Sequence, residues 1–403
     1  VLVELPVDTQ RSVGEFEWPE GELFPGHHLK QTQDLSRLDE AIALLSGARR
    51  PVILAGGGVI ASGASAQLLR LAERGDLPVA VTLMGKGCFP DSHPLSLGMA
   101  GMHGTPAANT ALAEADVLLA VGARFSDRTT GKVDEFARGA SVIHVDIDHA
   151  EIDKNVNCDV ALVGDAARVL EAIADSMPEA VREEWTVYLR GRAMEMPLYD
   201  PDEGVFSPAA VFEAVRRRVD KQTVAVTDVG QNQMWAALHW RAGGPGTFLS
   251  SGGLGTMGFS LPAAIGASFA AGEAPVVCFA GDGGFMMTCQ ELETCARYRL
   301  PVKTVLLNNG CLGMVRQWQE LFWDERYSAT TQAPLCDFPA LAQAFGVPSR
   351  ACDDLSGLEN ALDFAFDVRG PALIECRIPQ KELVMPMVPA GTALKDFMYR
   401  VRV

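Results

Sequence analysis

The chain has 403 residues and a formal net charge of −17, and its 48% hydrophobic and 21% charged residues are typical of a folded globular protein. Nucleic acid is not expected as a partner, because no basic stripe offsets the repulsion of its phosphates, and no apolar stretch is long enough to predict a membrane span. The nine cysteines include no C-x-x-C pair, which predicts reduced thiols and a cytoplasmic location.

The chain begins with an alternating stretch, "VLVELPVD" (residues 1–8), which predicts a strand, and a polar segment rich in proline and glycine follows it. Two interpretations are open for this strand. It could be an edge strand of the next sheet, or it could be the last strand of a domain that lies upstream. We take the second as our prediction, so residues 1–30 are the end of an N-terminal domain plus a linker.

From Leu35 onward, helices and strands alternate. The predicted helices are "LSRLDEAIALLSGA" and "SAQLLRLAER", and the predicted strands are "PVILAGGG", "LPVAVT", "VLLAVGARF" and "SVIHVDID". Residues 166–204 are predicted to form a helix and then a linker. Such alternation favours a doubly wound parallel sheet, so we predict a central domain over residues 31–195 and a linker over 196–204.

A second α/β run begins at Ser207 with the helix "SPAAVFEAVRRR", which has Pro208 at its first position. The predicted strands that follow are "TVAVTDVG", "PVVCFAGDG", "VKTVLLNNG" and "PALIECRI". We predict a second domain over residues 205–380 and a tail over 381–403. The predicted fold class is α/β, with two doubly wound parallel-sheet domains.

Polar side chains follow two neighbouring strands of this second sheet: Asp282 ends one strand, and Asn308 and Asn309 end the next. The carboxyl ends of parallel strands meet at one edge of the sheet, where ligands bind. Carboxylate, amide and carbonyl oxygens suit Mg²⁺, and the helix predicted over residues 284–298 would direct N–H groups at a phosphate. The alternative is two ordinary turns, one Asp-Gly and one Asn-Gly.

The stretch from Gly281 to Asn309 resembles the thiamine diphosphate signature, which starts with GDG and ends with NN. Six further stretches resemble the catalytic large subunit of acetolactate (acetohydroxyacid) synthase: "SSGGLGTMGFSLPAAIGA", "NNGCLGMVRQWQELF", "LGMAGMHGT", "VGARFSDRTTGK", "HVDIDHAEIDKN" and "MPMVPAG". The resemblance extends over essentially the whole chain. It implies a central FAD-binding-like domain and a C-terminal domain that binds thiamine diphosphate.

The activity implied by the resemblance is decarboxylation of pyruvate on thiamine diphosphate. The hydroxyethyl unit is then ligated to a second 2-keto acid, pyruvate or 2-ketobutyrate, in branched-chain amino-acid biosynthesis. The implied cofactors are thiamine diphosphate, Mg²⁺ and FAD. The implied assembly is a homodimer or tetramer, with a small regulatory subunit as a candidate partner.

The resemblance also implies roles for residues of the second domain. Asp282, Asn309 and the main-chain carbonyl of Cys311 would hold Mg²⁺. Gly283, Gly284, Gly230, Gln231 and Asn232 would contact the diphosphate, although the family usually has histidine where this chain has Asn232. Met257 would bend the cofactor, and Gly255 would accept a hydrogen bond from its amino group. Trp318 would shape the acceptor pocket, and Arg128 would lie near the entrance of the active site.

For the first domain, the resemblance implies a set of residues that line FAD. They are Gly56, Gly57, Gly58, Thr82, Leu83, Met84, His103, Gly122, Arg124, Asp146, Ile147 and Asp165. From the residues themselves, "AGGG" at the end of a strand suits a pyrophosphate but lacks the G-x-G-x-x-G fingerprint. His103 by itself is also compatible with an ordinary loop or core histidine.

In the family, a glutamate of the N-terminal pyrimidine-binding domain activates the cofactor, and no residue of this chain matches it. The resemblance therefore implies that this chain alone is inactive. Two alternatives stay open: another thiamine diphosphate carboligase or oxidase, such as glyoxylate carboligase or pyruvate oxidase, and a non-catalytic module that binds a flavin or nucleotide.

Overall fold

The computed structural model describes residues 3–17, 33–198, 204–272, 274–332 and 336–399. The chain divides into two compact units, Val1–Thr32 and Gln33–Val403. In the described part of the first unit, the secondary structure is one short exposed helix, α1 (Val7–Arg11). The strand predicted for "VLVELPVD" is therefore not formed in the described residues: residues 3–6 have no regular secondary structure and the helix begins at Val7. A short helix hydrogen-bonds within itself, whereas an unpaired strand leaves its backbone groups to water.

The larger unit contains two parallel six-stranded sheets. The first has the strand order β3-β2-β1-β4-β5-β6. Its strands are β1 (Pro51–Ala55), β2 (Val79–Val81), β3 (Ser96–Met99), β4 (Val117–Val121), β5 (Ser141–Asp146) and β6 (Val160–Val163). This order is that of dinucleotide-binding sheets, in which the order of the strands reverses between β1 and β4.

The second sheet has the order β11-β12-β10-β9-β7-β8. Its strands are β7 (Val224–Thr227), β8 (Phe248–Leu249), β9 (Val276–Gly281), β10 (Val302–Asn308), β11 (Ser349–Cys352) and β12 (Ala372–Arg377). β8 lies on one side of β7, and β9 and then β10 lie on the other side. The switch point of this sheet therefore lies between β7 and β9.

Helices cover both faces of each sheet. In the first domain they are α2 (Leu38–Gly47), α3 (Gly57–Ala61), α4 (Ser65–Gly75), α5 (Pro106–Glu114), α6 (Asp127–Thr130), α7 (Ala166–Ser176) and α8 (Glu183–Glu195). In the second they are α9 (Pro208–Arg216), α10 (Gln231–His239), α11 (Ser260–Ala270), α12 (Asp282–Thr288), α13 (Leu292–Tyr298), α14 (Gly313–Phe322), α15 (Phe338–Ala344) and α16 (Leu355–Asp367).

Alternate residues of the strands enter separate cores on the two faces of each sheet. On β1, Ile53 packs with α2, α4 and α7, whereas Leu54 packs with α5 and α8. On β9, Phe279 and Cys278 divide in the same way between the two cores of the second sheet. These sheets are buried on both faces, which is why their strands are continuous apolar runs rather than alternating ones. The predicted α/β class with two doubly wound sheets is confirmed.

Two further predicted elements differ from the structure. The helix predicted over residues 284–298 is interrupted at Thr288, whose φ of −138° is not helical, and the chain passes through a 3₁₀ turn before α13. The hydroxyl of Thr288 donates to the carbonyl of Gly258 at 3.0 Å, which ties this break to the loop before α11. The region predicted as one helix and a linker, residues 166–204, contains two helices, α7 and α8. Within the described residues, no helix is long and apolar enough to cross a membrane.

Candidate cofactor site

Two adjoining cavities lie at the carboxyl ends of the two sheets. The larger cavity has a volume of about 1040 Å³ and is lined from both sheets, and the smaller has about 290 Å³ and is lined by the second sheet and its loops. Val229, Gly230, Gly255 and Met314 line both. Both cavities open at the switch points, where ligands bind in doubly wound sheets.

The smaller cavity brings together the three predicted metal ligands, Asp282, Asn309 and Cys311. Asp282 is 4% exposed, and burial raises the pKa of its carboxyl to about 6, against the opposing effect of backbone N–H groups that include those of Gly310 and Cys311. The Oδ1 of Asn309 accepts from the N–H of Cys311 at 3.3 Å. Both side chains therefore reach the same backbone segment. Asn308 accepts from the N–H of Gly310 at 3.0 Å and donates to Glu375 at 2.6 Å.

The chemistry of this donor set fits Mg²⁺. Within the described residues, no group of three or more His, Cys, Asp or Glu side chains could hold a metal. One buried carboxylate, one amide oxygen and one carbonyl are too few for a closed protein cage. They match a cation that keeps water and phosphate oxygens among its ligands.

The two glycines that follow Asp282 lie so close to their neighbours that a side chain at either position would clash. A Cβ on Gly283 would lie 2.8 Å from Leu312 Cδ2, and a Cβ on Gly284 would lie 2.6 Å from Asp228 Cγ. Asp228 is fully buried and accepts from the N–H groups of Val229 (2.9 Å) and Gly258 (3.0 Å). Its other oxygen accepts the N–H and hydroxyl of Ser260. Asp228 therefore joins the loop after β7 to the loop before α11, and motif reasoning on the sequence did not identify it.

Gln231 lines the smaller cavity and belongs to a chain of buried amides. It accepts from Asn309 at 2.9 Å and donates both to Gln317 at 3.0 Å and to the carbonyl of Glu382 at 2.9 Å. Gln317 is fully buried and exchanges hydrogen bonds with the backbone of Val384. Sequence reasoning missed Gln317, because only the tertiary fold places it beside residues that are distant in sequence.

Asn232 also lines the smaller cavity and is 4% exposed. Its Nδ2 donates to the carbonyl of Val229 at 3.3 Å, while its Oδ1 has no hydrogen-bond partner. A buried polar atom without a partner is costly. In this orientation the free atom is an acceptor, so it suits a donor such as metal-bound water better than a diphosphate oxygen.

The larger cavity collects most of the residues predicted to line FAD. The lining includes Gly57, Gly58, Thr82, Leu83, Met84, His103, Gly122, Arg124 and Asp146. Gly56, Ile147 and Asp165 are not among the lining residues. The backbone of Gly56 packs so closely against that of Gly122 that a Cβ would lie 2.8 Å from Ala123 Cα. Asp165 instead caps helix α7 through the N–H groups of Ala167 and Arg168.

Two titratable groups of the larger cavity are perturbed by burial. Burial lowers the pKa of His103 to about 4, so its ring is neutral near pH 7, and its Nδ1 lies 3.1 Å from the carbonyl of Pro386. Burial raises the pKa of Asp146, which receives the N–H of Asp148 at 2.9 Å. Arg124, in contrast, is exposed at the rim and can approach an anion.

The four predicted catalytic residues divide between the cavities. Trp318 and Arg128 line the larger one, Met257 lines the smaller one, and Gly255 lines both. Trp318 lies on α14 with its ring 5.2 Å from that of Phe322. Gly255 has a φ of +65°, which favours glycine in that loop.

A segment that we call the strap, residues 382–392, contacts both domains. On the side of the second domain, Gln231 and Trp235 donate to the carbonyls of Glu382 and Leu383. On the side of the first domain, the N–H of Val388 donates to Met102 at 2.7 Å, and the N–H of Lys132 donates to Thr392 at 3.0 Å. The strap therefore connects the two domains through hydrogen bonds to each of them.

Comparison with known families identifies the class of protein. Residues 38–173 match the family described as "Thiamine pyrophosphate enzyme, central domain", and residues 228–376 match "Thiamine pyrophosphate enzyme, C-terminal TPP binding domain". The fold and the smaller cavity thus define a thiamine diphosphate-dependent enzyme.

Curated relatives narrow this class. A probable acetolactate synthase large subunit of Methanococcus aeolicus is 40% identical, and one of Methanocaldococcus jannaschii is 43% identical; each match covers 100% of this chain and 70% of the relative. An acetolactate synthase of Mycobacterium bovis is 45% identical over 98% of this chain and 66% of its own length. The chain belongs to the acetolactate synthase large subunit family.

Proposed function

We propose that this chain supplies the cofactor-binding domains of an enzyme that makes acetolactate from pyruvate. The proposal includes the homologous ligation to 2-ketobutyrate, both in branched-chain amino-acid biosynthesis. The observation that carries it is the convergence of Asp282, Asn309 and Cys311 at the carboxyl ends of β9 and β10, in a chain whose relatives are acetolactate synthases.

In this proposal, Mg²⁺ is held by the carboxylate of Asp282, the amide oxygen of Asn309 and the carbonyl of Cys311. The N–H groups of Gly283 and Gly284 and the loop at Gly230 would contact the diphosphate. Thiamine diphosphate, when bound, supplies the carbon nucleophile and the electron sink for decarboxylation. The residues of the chain bind and orient the cofactor, and the neighbouring apolar walls exclude water from it.

Met257 supports the proposed bent cofactor. It lines the smaller cavity together with Gly255, and its Cε would lie 3.7 Å from a Cβ placed on Gly283. A flexible apolar side chain opposite the glycines that face the diphosphate is suited to pack under the cofactor.

The larger cavity is proposed to hold FAD beside the 2-keto acids. The first sheet has the strand order of dinucleotide-binding sheets, and Gly57 and Gly58 lie at the switch point of this sheet, opposite Gly122. Asp146 at the end of β5 is proposed to accept from a ribose hydroxyl. Trp318 and the exposed Arg128 are proposed to form the acceptor pocket, where the guanidinium would pair with a 2-keto carboxylate.

The assembly proposed for the active protein is a homodimer or tetramer in the cytoplasm, with a small regulatory subunit as a further partner. Exposed apolar side chains on the second domain, among them Leu254, Phe269 and Tyr298, are consistent with contact to another chain.

Calorimetric titration of thiamine diphosphate, with and without Mg²⁺, tests the proposed metal site. We expect tight binding by the wild type only with Mg²⁺, and loss of that dependence in Asp282→Ala, because the metal loses its only charged protein ligand. Asp353→Ala, which removes an exposed carboxylate of the same domain, is the matched control. Equal Mg²⁺-dependent binding by Asp282→Ala and Asp353→Ala would refute the assignment.

A further inference from the structure

We propose that Gln317 is a positioning residue that, through Gln231, fixes which atom of Asn309 faces the metal. The inference rests on the proposed function, because it concerns the Mg²⁺ site. Its physical basis is a continuous row of buried amides that ends on the backbone of the strap.

The strap determines which way each amide of the row points its oxygen and its nitrogen. A backbone N–H can only donate, so the N–H of Val384, 2.8 Å from Gln317, requires the oxygen of that side chain to face it. The same oxygen then receives Nε2 of Gln231 at 3.0 Å. The carbonyl of Glu382, 2.9 Å from Gln231 Nε2, can only accept and so imposes the same orientation.

This orientation passes from Gln231 to Asn309. With its nitrogen committed to Gln317 and Glu382, Gln231 presents its oxygen to Nδ2 of Asn309 at 2.9 Å. The oxygen of Asn309 is therefore turned to the opposite side, toward the N–H of Cys311 and the segment that Asp282 also reaches. A reversed amide would present a nitrogen, which cannot bind Mg²⁺.

Gly313 confirms that the row is closely packed. A Cβ at this position would lie 2.6 Å from Asn309 Nδ2 and closer still to Gln231 Oε1. The first residue of α14 thus lacks a side chain where the amides of Gln231 and Asn309 meet.

The row predicts that two substitutions of Gln317 differ in their effect on metal affinity. Gln317→Met removes the oxygen that orients Gln231, and outer partners of metal ligands are typically worth about 10–100-fold in metal affinity. Gln317→Glu keeps an oxygen that can accept from both Val384 and Gln231. Both variants lose the amide donor that bonds the carbonyl of Val384 and Met387 Sδ, whereas only Gln317→Met also loses the bond from the N–H of Val384. If the amide donor mattered by holding the strap, both variants would be weakened.

The experiment titrates the full chain with Mn²⁺ as the probe, at saturating thiamine diphosphate. Electron paramagnetic resonance reports free Mn²⁺, with a blank for the metal–cofactor complex without protein. We expect Gln317→Met to weaken Mn²⁺ binding at least tenfold and Gln317→Glu to stay within about threefold of the wild type. Gly313→Ala, which leaves the bonds of Gln317 to the strap untouched, should also weaken binding at least tenfold.

Wild-type affinity in Gln317→Met would overturn the inference, as would equal losses in Gln317→Met and Gln317→Glu. If Gln317→Met does not fold, as judged by circular dichroism, Gln317→Leu, which also removes the amide, takes its place under the same criteria. Absence of any Mn²⁺ binding by the wild type would overturn the proposed metal site itself. These failures are therefore distinguishable.

Discussion

Substitution of Gly284 by alanine is expected to destabilise the second domain, because its Cβ would occupy the space of a buried carboxylate. The Cβ would lie 2.6 Å from Asp228 Cγ and closer still to Oδ1, whereas ordinary contact begins at 3.4 Å. Asp228 would have to retreat by about 1 Å. That movement would break the hydrogen bonds from Val229 and Gly258 to the same oxygen.

Hydrogen bonds to a charged group are worth about 1.5–3 kcal/mol each, so losing two lowers the free energy of unfolding by about 3–6 kcal/mol. For a domain of this size, about 3 kcal/mol lowers the melting temperature by roughly 6–12 °C. The matched control is Gly266→Ala in α11, where the glycine is exposed and a Cβ meets nothing within 4 Å. There alanine is expected to stabilise by about 0.5–1 kcal/mol, through its higher helix propensity.

Differential scanning fluorimetry on the two variants and the wild type gives the comparison, and urea unfolding followed by tryptophan fluorescence gives the free energies. If Gly284→Ala melts within a degree or two of Gly266→Ala, Asp228 has moved without cost. The account of it as the rigid join between the two loops would then be incorrect.

Three further predictions concern the larger cavity. In the catalytically active protein, Trp318→Ala should lower the preference for 2-ketobutyrate over pyruvate by about tenfold, since one methylene in an apolar pocket is worth about 1–3 kcal/mol; an unchanged product ratio would leave Trp318 a packing residue only. Purified protein is expected to carry or take up FAD, seen as flavin absorbance, and failure of folded protein to bind it would contradict the proposed flavin site. Because His103 has a pKa of about 4 in the folded state and 6.5 as its ordinary value, the unfolded chain binds more protons between those pH values and stability falls as the pH drops through them. The free energy of unfolding, measured with urea at pH 7 and pH 4, should therefore fall by up to about 3 kcal/mol less in His103→Gln than in the wild type. In the exposed control His149→Gln it should fall as much as in the wild type. An equal fall in all three proteins would refute the burial argument.

The sequence predicted the two sheets well because their strands are long apolar runs at regular spacing. It missed the short outermost strands of both sheets, β3, β6, β8 and β11, of two to four residues, because edge strands carry little periodic signal. It predicted one continuous helix after Asp282, since the break at Thr288 depends on a hydrogen bond to Gly258 that is formed only in the tertiary structure.

The candidate site was predictable to the extent that its residues lie at strand ends. Asp282 and Asn309 follow consecutive strands, so the sheet itself brings them together. Asp228 also follows a strand, β7, but its role depends on hydrogen bonds from the loop at Gly258. Gln317 lies on a helix, and its role depends on contacts with the strap. The amide of Asn232 could be located, but its orientation depends on the carbonyl of Val229.

The wall shared by the two cavities has a thermodynamic consequence. Val229, Gly230, Gly255 and Met314 line both cavities, so an occupant of one cavity packs against residues that an occupant of the other must also accept. Linkage requires that whatever factor the first occupant imposes on the affinity for the second, the second imposes on the first. A titration of either cavity, repeated with the other filled, therefore measures a single coupling free energy, and the two orders of addition must agree.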